Sequence, residues 1–204
     1  QATAERITQY YAGKTSTPQS KLLIVFGILG ALLVSLGIIL ILAHNWDQLT
    51  RSTKTVISFL PLLIGQGLCL FTLLKKPNST GWREASSVFL FFAIGASLSL
   101  ISQIYNIPGQ LSSFLLTWMA LAIPIVYVMN SSTASLFYIA GITYYACETG
   151  YWGNTDSTPL LYWVMLLLVL PHYYLLYRNK PESNFFHLHN WFLPLSVITT
   201  LGTL

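Results

Sequence analysis

Charge is what this sequence has least of. Only 8% of its 204 residues are Asp, Glu, Lys or Arg, where a soluble domain carries about 25%, and that shortfall excludes a water-soluble globular chain. Cysteine is nearly as scarce. Cys69 and Cys147 stand without a CxxC and without a His at metal-ligand spacing, so both read as small apolar helix residues. No Walker loop, GxSxG, HExxH or dinucleotide-binding glycine pattern occurs. No Asp, Glu, Lys or Arg falls in the middle of a long apolar run. Ion-coupled transporters place ionisable groups at membrane depth, where they are costly and therefore purposeful, so this absence weighs against that class. An uncoupled pathway, or a sodium site built from carbonyls, stays open.

What is present is apolar length. Hydrophobic residues make up 54% of the chain, and residues 22–43 carry neither charge nor proline. At about 1.5 Å per residue, such a helix crosses the roughly 30 Å hydrocarbon core of a bilayer. Similar runs follow at about 55–74, 86–104, 114–129, 133–147 and 159–177, and another opens near 191 and runs to 204. The fold expected is all-α, a polytopic transmembrane bundle of about six complete spans plus a truncated seventh. Runs 114–129 and 133–147 are short and separated only by Asn130, Ser131 and Ser132, so they read as two short crossings or as one re-entrant hairpin. Residues 1–20 are polar: AERITQYY fits a short amphipathic helix and TSTPQS a linker. The first apolar run is too long and too late for a cleavable signal peptide. Beginning at Gln1 and stopping inside an apolar run, the chain is read as a piece of a longer protein.

The basic residues orient these spans. Arg6, Lys14, Lys21, Lys75, Lys76, Arg83, Arg178 and Lys180 fall on one side, and Arg51 and Lys54 on the other, eight against two. The positive-inside rule then puts the N-terminus in the cytoplasm. Cys69 and Cys147 come out near opposite membrane faces, beyond the reach of a disulfide.

Three runs would end on the outer face in polar-aromatic segments. The first carries His44, Asn45, Trp46 and Asp47. The second carries Gln103, Tyr105 and Asn106, and the third Glu148, Tyr151, Trp152 and Asp156. Two readings stand side by side. Trp and Tyr enrichment with helix caps is what interfacial anchoring alone produces. The sharper reading makes these segments converge on an extracytoplasmic site, with Asp47, His44, Glu148 and Asp156 as candidate catalytic groups. Asn45, Trp46, Gln103, Tyr105 and Asn106 are then candidate ligand contacts. The loop 105–113 has no charge yet is rich in Asn, Gln, Ser, Gly and Pro, which fits a defined turn or packing at membrane depth. Gln103, ending an apolar helix, is expected to make an interhelical hydrogen bond or to face that site.

Small residues recur at helical spacing: Gly27, Ala31 and Ser35 in the first run, and Ala93, Gly95, Ser97 and Ser99 in the third. They form grooves that let another helix approach closely. His172 follows Pro171 and is expected to cap carbonyls freed by the proline. His187 and His189, placed in the loop before the last run, make a poor metal cluster with it, and no metal is expected. Lys-Pro-Ser-type exits after 74 and 177 are alike, a likeness that a shared basic stop signal explains as well as duplication.

AERITQYY, LGIILILAHNWD and ISQIYNIPG, in that order and spacing, resemble a family of bacterial predicted membrane proteins, domain of unknown function 2157. The family motifs map onto Asn45, Trp46 and Asp47, and onto Gln103, Ile104, Tyr105, Ile107 and Gly109, within residues 4–130. The resemblance implies an inner-membrane location and the same topology, and no activity. Two functions remain: a non-catalytic membrane subunit or scaffold, and, as its alternative, an outer-face enzyme acting on a lipid-linked substrate. A transporter or flippase ranks below both. No motif names a cofactor. The expected partners are the lipid bilayer and a membrane protein or second copy, and nucleic acid is excluded because basic residues sit between apolar runs and form no patch.

Overall fold

Apolar runs lead into helices because a chain in lipid must satisfy every backbone N–H and C=O internally. The computed structural model describes residues 44–152, 160–179 and 182–203, with the isolated helical positions Gly30, Leu33, Gly37 and Leu40. Residues 1–29, most of the run 22–43 and the linker 15–20 therefore lie outside the described residues. Two compact units divide the chain, Gln1–Thr50 and Arg51–Leu204. In the first, Trp46–Gln48 forms a 3-10 turn.

The second unit holds six helices: α1 (Arg51–Lys75), α2 (Thr80–Ile104), α3 (Leu111–Val128), α4 (Ser132–Cys147), α5 (Leu160–Asn179) and α6 (Asn184–Leu201). Of these, α1, α2, α3 and α5 are long and apolar enough to cross a membrane. The segment expected as two crossings or a hairpin forms two separate helices, α3 and α4. At 16 residues α4 is shorter than a lone crossing takes. It is packed against α2, α3, α5 and α6, with Tyr138, Ile139, Ile142, Tyr145 and Ala146 all buried. A turn of π-helix, Glu148–Trp152, prolongs it.

Two boundaries differ from the sequence reading for one reason. Helix α2 starts at Thr80, ahead of its apolar run, and α6 starts at Asn184, so His187 and His189 lie on a helix rather than in a loop. The Ser183 hydroxyl accepts from Phe186 N at 3.2 Å and starts α6 inside polar sequence. Hydropathy registers the apolar stretch and misses the polar first turns.

Both non-glycine residues with positive φ among those described are asparagines that stop helices: Asn106 (φ 48°) and Asn130 (φ 46°). After α2, Asn106 N donates to Gln103 O at 3.4 Å and Ile107 N to Ser102 O at 2.9 Å. After α3, Asn130 N donates to Tyr127 O and Ser131 N to Val126 O. Each pair of bonds is a Schellman cap with Asn in the left-handed position, and Pro108 then blocks any continuation of α2. Left-handed backbone suits Gly and Asn and costs a β-branched residue about 1–2 kcal/mol. Asn106→Gly is therefore expected to leave the thermal midpoint in detergent unchanged or slightly raised, and Asn106→Val to lower it. An unchanged midpoint for the valine variant would refute the cap.

Two of the prolines inside the helices, Pro61 and Pro171, are met by neighbouring hydroxyls. Pro61 loosens the turn before it, and Ser97 Oγ on α2 donates to Ser58 O at 2.7 Å. Pro171 does the same in α5, where Tyr127 Oη donates to Leu168 O. The donor beside that proline is Tyr127 rather than His172, because Pro171 lies on the exposed side while the His172 ring turns into the bundle.

Candidate functional site

The connections α1–α2, α3–α4 and α5–α6 meet at one end of the Arg51–Leu204 unit, and two adjacent residues in the first turns of α2 organise it. Arg83 Nε donates to Met129 O at 2.7 Å, at the carbonyl end of α3. Glu84 accepts from the amide end of α4: Ser132 N at 3.0 Å, Thr133 N at 2.9 Å and the Ser131 hydroxyl at 2.5 Å. Ser131 Oγ itself caps α4 by accepting from Ala134 N, and Ser87 Oγ donates to it at 2.6 Å. A cation thus sits at a helix C-terminus and an anion at a helix N-terminus, each matched to the partial charge it meets.

Behind this clamp two imidazoles lie inside the bundle, His172 on α5 and His189 on α6, with ring centroids 6.3 Å apart. His189 Nδ1 lies 2.7 Å from Phe185 O and Nε2 3.0 Å from Ser135 Oγ. A carbonyl only accepts, so Nδ1 carries the hydrogen and Nε2 accepts from Ser135. His172 is 2% exposed and its Nε2 has no hydrogen-bond partner. His172, Glu84, Arg83, Thr80, Asn130 and Asn179 are among the residues lining a cavity of about 270 Å³ that opens at this end. His187 is exposed, and among the described residues no three His, Cys, Asp or Glu side chains are grouped to hold a metal.

The residues singled out from sequence go elsewhere. His44, Asn45, Trp46 and Asp47 belong to the Gln1–Thr50 unit, with His44 and Asp47 exposed and Asp47 in the first turn of the 3-10 helix. Asp156 lies outside the described residues. Glu148 opens the π-turn after α4 and is half-buried. At the opposite end of the second unit from Glu84, Tyr105 Oη lies 3.1 Å from Thr55 Oγ1 and ties the start of α1 to the end of α2. Gln103 is exposed, and its amide bonds Ser99 Oγ on its own helix at 3.4 Å. Among the described residues the expected interhelical bond is thus replaced by an intrahelical one. Gln103 and the 107–113 segment line an open cleft of about 470 Å³, whose lining includes neither Tyr105 nor Asn106. Of the candidate catalytic groups, Glu148 is the one described within the Arg51–Leu204 unit.

Sequence reading missed Arg83, Glu84 and Asn130 and misplaced His189. One signal was available: Asn130 followed by Ser131 and Ser132 is a helix stop joined to a helix start, and Glu84 is the acidic residue adjoining an apolar run at the same end. Cys69 and Cys147 are both free, and the Cys69 thiol donates to Ser86 O at 3.4 Å.

Four helices long and apolar enough to cross a membrane, among the described residues, are those of a polytopic membrane protein. The model of the family described as predicted membrane protein (DUF2157) matches residues 1–135, and the chain belongs to that family. No curated protein and no solved structure matches it. The Glu84 clamp on α4 falls within the matched residues, whereas His172 and His189 fall beyond them.

Proposed function

We propose that this chain is a non-catalytic membrane subunit or scaffold of a bacterial inner membrane that holds a partner protein, or a second copy, through its helices. The observation that carries this reading is the use of its buried polar groups. Glu84 is engaged by α4, and Ser97 bonds Ser58 across α1 and α2. Thr143 Oγ1 donates to Ser196 Oγ at 2.6 Å between α4 and α6, and Tyr162 joins them from α5. Each of these polar groups ties one helix to another, which is what a rigid platform needs. The clustering of Lys75, Lys76, Arg83 and Arg178 at the Glu84 end supports a cytoplasmic position for that end, with the N-terminus on the same side.

The test is extraction of the tagged chain from its own membrane at native abundance, in mild detergent, followed by sizing and mass spectrometry. A stoichiometric membrane-protein partner or a homo-oligomer is expected. A monodisperse solitary monomer would overturn the reading.

A further inference from the structure

The cavity behind the Arg83–Glu84 clamp has the features of a ligand site: it is concave, preformed and lined by polar groups from several helices. The sign of its field follows from those groups. Glu84 is the carboxylate in its lining, and that charge is already covered by the Ser131 hydroxyl and two α4 amides. Arg83 contributes a guanidinium with five N–H donors, of which Nε is held by Met129 O and one on Nη1 reaches Pro77 O at 3.5 Å. Thr80, Asn130 and Asn179 add a hydroxyl and two amides that can donate. Helices α2 and α6 begin at this rim, at Thr80 and Asn184, while α1 and α5 end at it, at Lys75 and Asn179, so the helix dipoles largely offset one another and the side chains set the sign. Lys75, Lys76 and Arg178 stand exposed at the same end and attract anions to it. His172 Nε2, buried without a partner, is a polar atom whose isolation is costly and which a bound oxyanion would relieve.

We propose that this cavity binds a phosphate group at the membrane boundary, held by Arg83 and His172 with the neighbouring amides. The group comes from an anionic phospholipid headgroup or from free phosphate. The proposal goes beyond the scaffold reading and does not depend on it, since a monomer without partners can hold such a ligand.

The test uses the full chain in phosphatidylcholine nanodiscs. Thermal unfolding is followed with and without phosphatidylglycerol in the bilayer, and separately with sodium phosphate against sodium chloride at equal ionic strength. A ligand present well above its Kd raises the midpoint by about 5 °C or more. A shift with phosphatidylglycerol alone identifies the headgroup as the source, and a shift with phosphate in plain phosphatidylcholine identifies the free anion. Arg83→Gln and His172→Phe should abolish the shift, while Arg51→Gln, exposed at the opposite end of the unit, should keep it. Asn179→Leu, at the exposed end of α5, should weaken binding at least tenfold and makes no demand on the core should the other two variants fail to fold. The proposal fails if neither probe moves the wild-type midpoint. It fails equally if the shift survives in every folded cavity variant, because the rim charges alone would then account for it.

Discussion

Glu84→Ala is expected to lower the stability of the bundle by about 2–4 kcal/mol, read as a drop of about 5–15 °C in thermal midpoint in detergent. The carboxylate accepts three bonds from α4, two of them from backbone amides that α4 itself cannot satisfy. Hydrogen bonds to a charged acceptor are worth about 1.5–3 kcal/mol each in net terms. Glu84 is half-buried, so water replaces part of what is lost and the sum falls short of three full bonds. Glu84→Gln keeps the size and one carbonyl acceptor and should cost roughly half as much. Ser131→Ala removes the α4 cap at a cost of about 1 kcal/mol. Because Ser131 also donates to Glu84, the double variant should be less destabilised than the two single losses added together. An unchanged midpoint for Glu84→Ala would mean that α4 is capped without it and that the carboxylate serves something other than the fold.

The clamp shows where sequence reading stops. An acidic residue beside an apolar run reads as a loop charge, and its partners here are backbone amides, which carry no side-chain signature. Apolar length was enough to find the helices, since in lipid a long uncharged run has few other options. It was not enough to say what covers them. Helix α4 is apolar and, at 16 residues, too short to cross alone; most of its length meets protein while Phe137 and Tyr144 stay exposed, and hydropathy does not distinguish a protein neighbour from a lipid one. The segment Gln103-Ile104-Tyr105-Asn106-Ile107-Pro108-Gly109 was conspicuous and read as a site or an interfacial belt. In the structure it stops α2, and that role depends on the left-handed backbone at Asn106. The groove of small residues on α2 was legible, because its content is steric and the helical period locates it, whereas that of Gly27, Ala31 and Ser35 lies outside the described residues. Ala93, Gly95 and Ser97 are buried, and each lies where a neighbour comes close.

That steric content sets up the other large effect. Gly95→Ala is expected to cost about 3 kcal/mol, at the upper end for an added methyl group in a packed core. A Cβ at Gly95 would stand 2.5 Å from Trp118 Cε2 and 2.6 Å from Cζ2, inside any van der Waals contact. The indole cannot swing away cheaply. Its Nε1 donates to Phe91 O at 2.9 Å. The rings of Phe91, Phe92 and Phe114 hold it at centroid distances of 5.3, 6.2 and 5.7 Å. The variant must either expel Trp118 or part α2 from α3. Trp118→Ala removes the clashing ring atoms, so Gly95→Ala should cost much less in that background than in the wild type, a coupling that simple loss of helix propensity would not produce. Gly67 on α1 supplies the opposite sign. Nothing lies within 4 Å of its missing Cβ, so Gly67→Ala should raise stability by up to about 1 kcal/mol through helix propensity alone. Both are glycines inside helices that can span a membrane, and sequence alone treats them alike. Equal rises in midpoint for the two alanine variants would show that Trp118 does not fill the Gly95 groove and that the α2–α3 contact is looser than the structure has it.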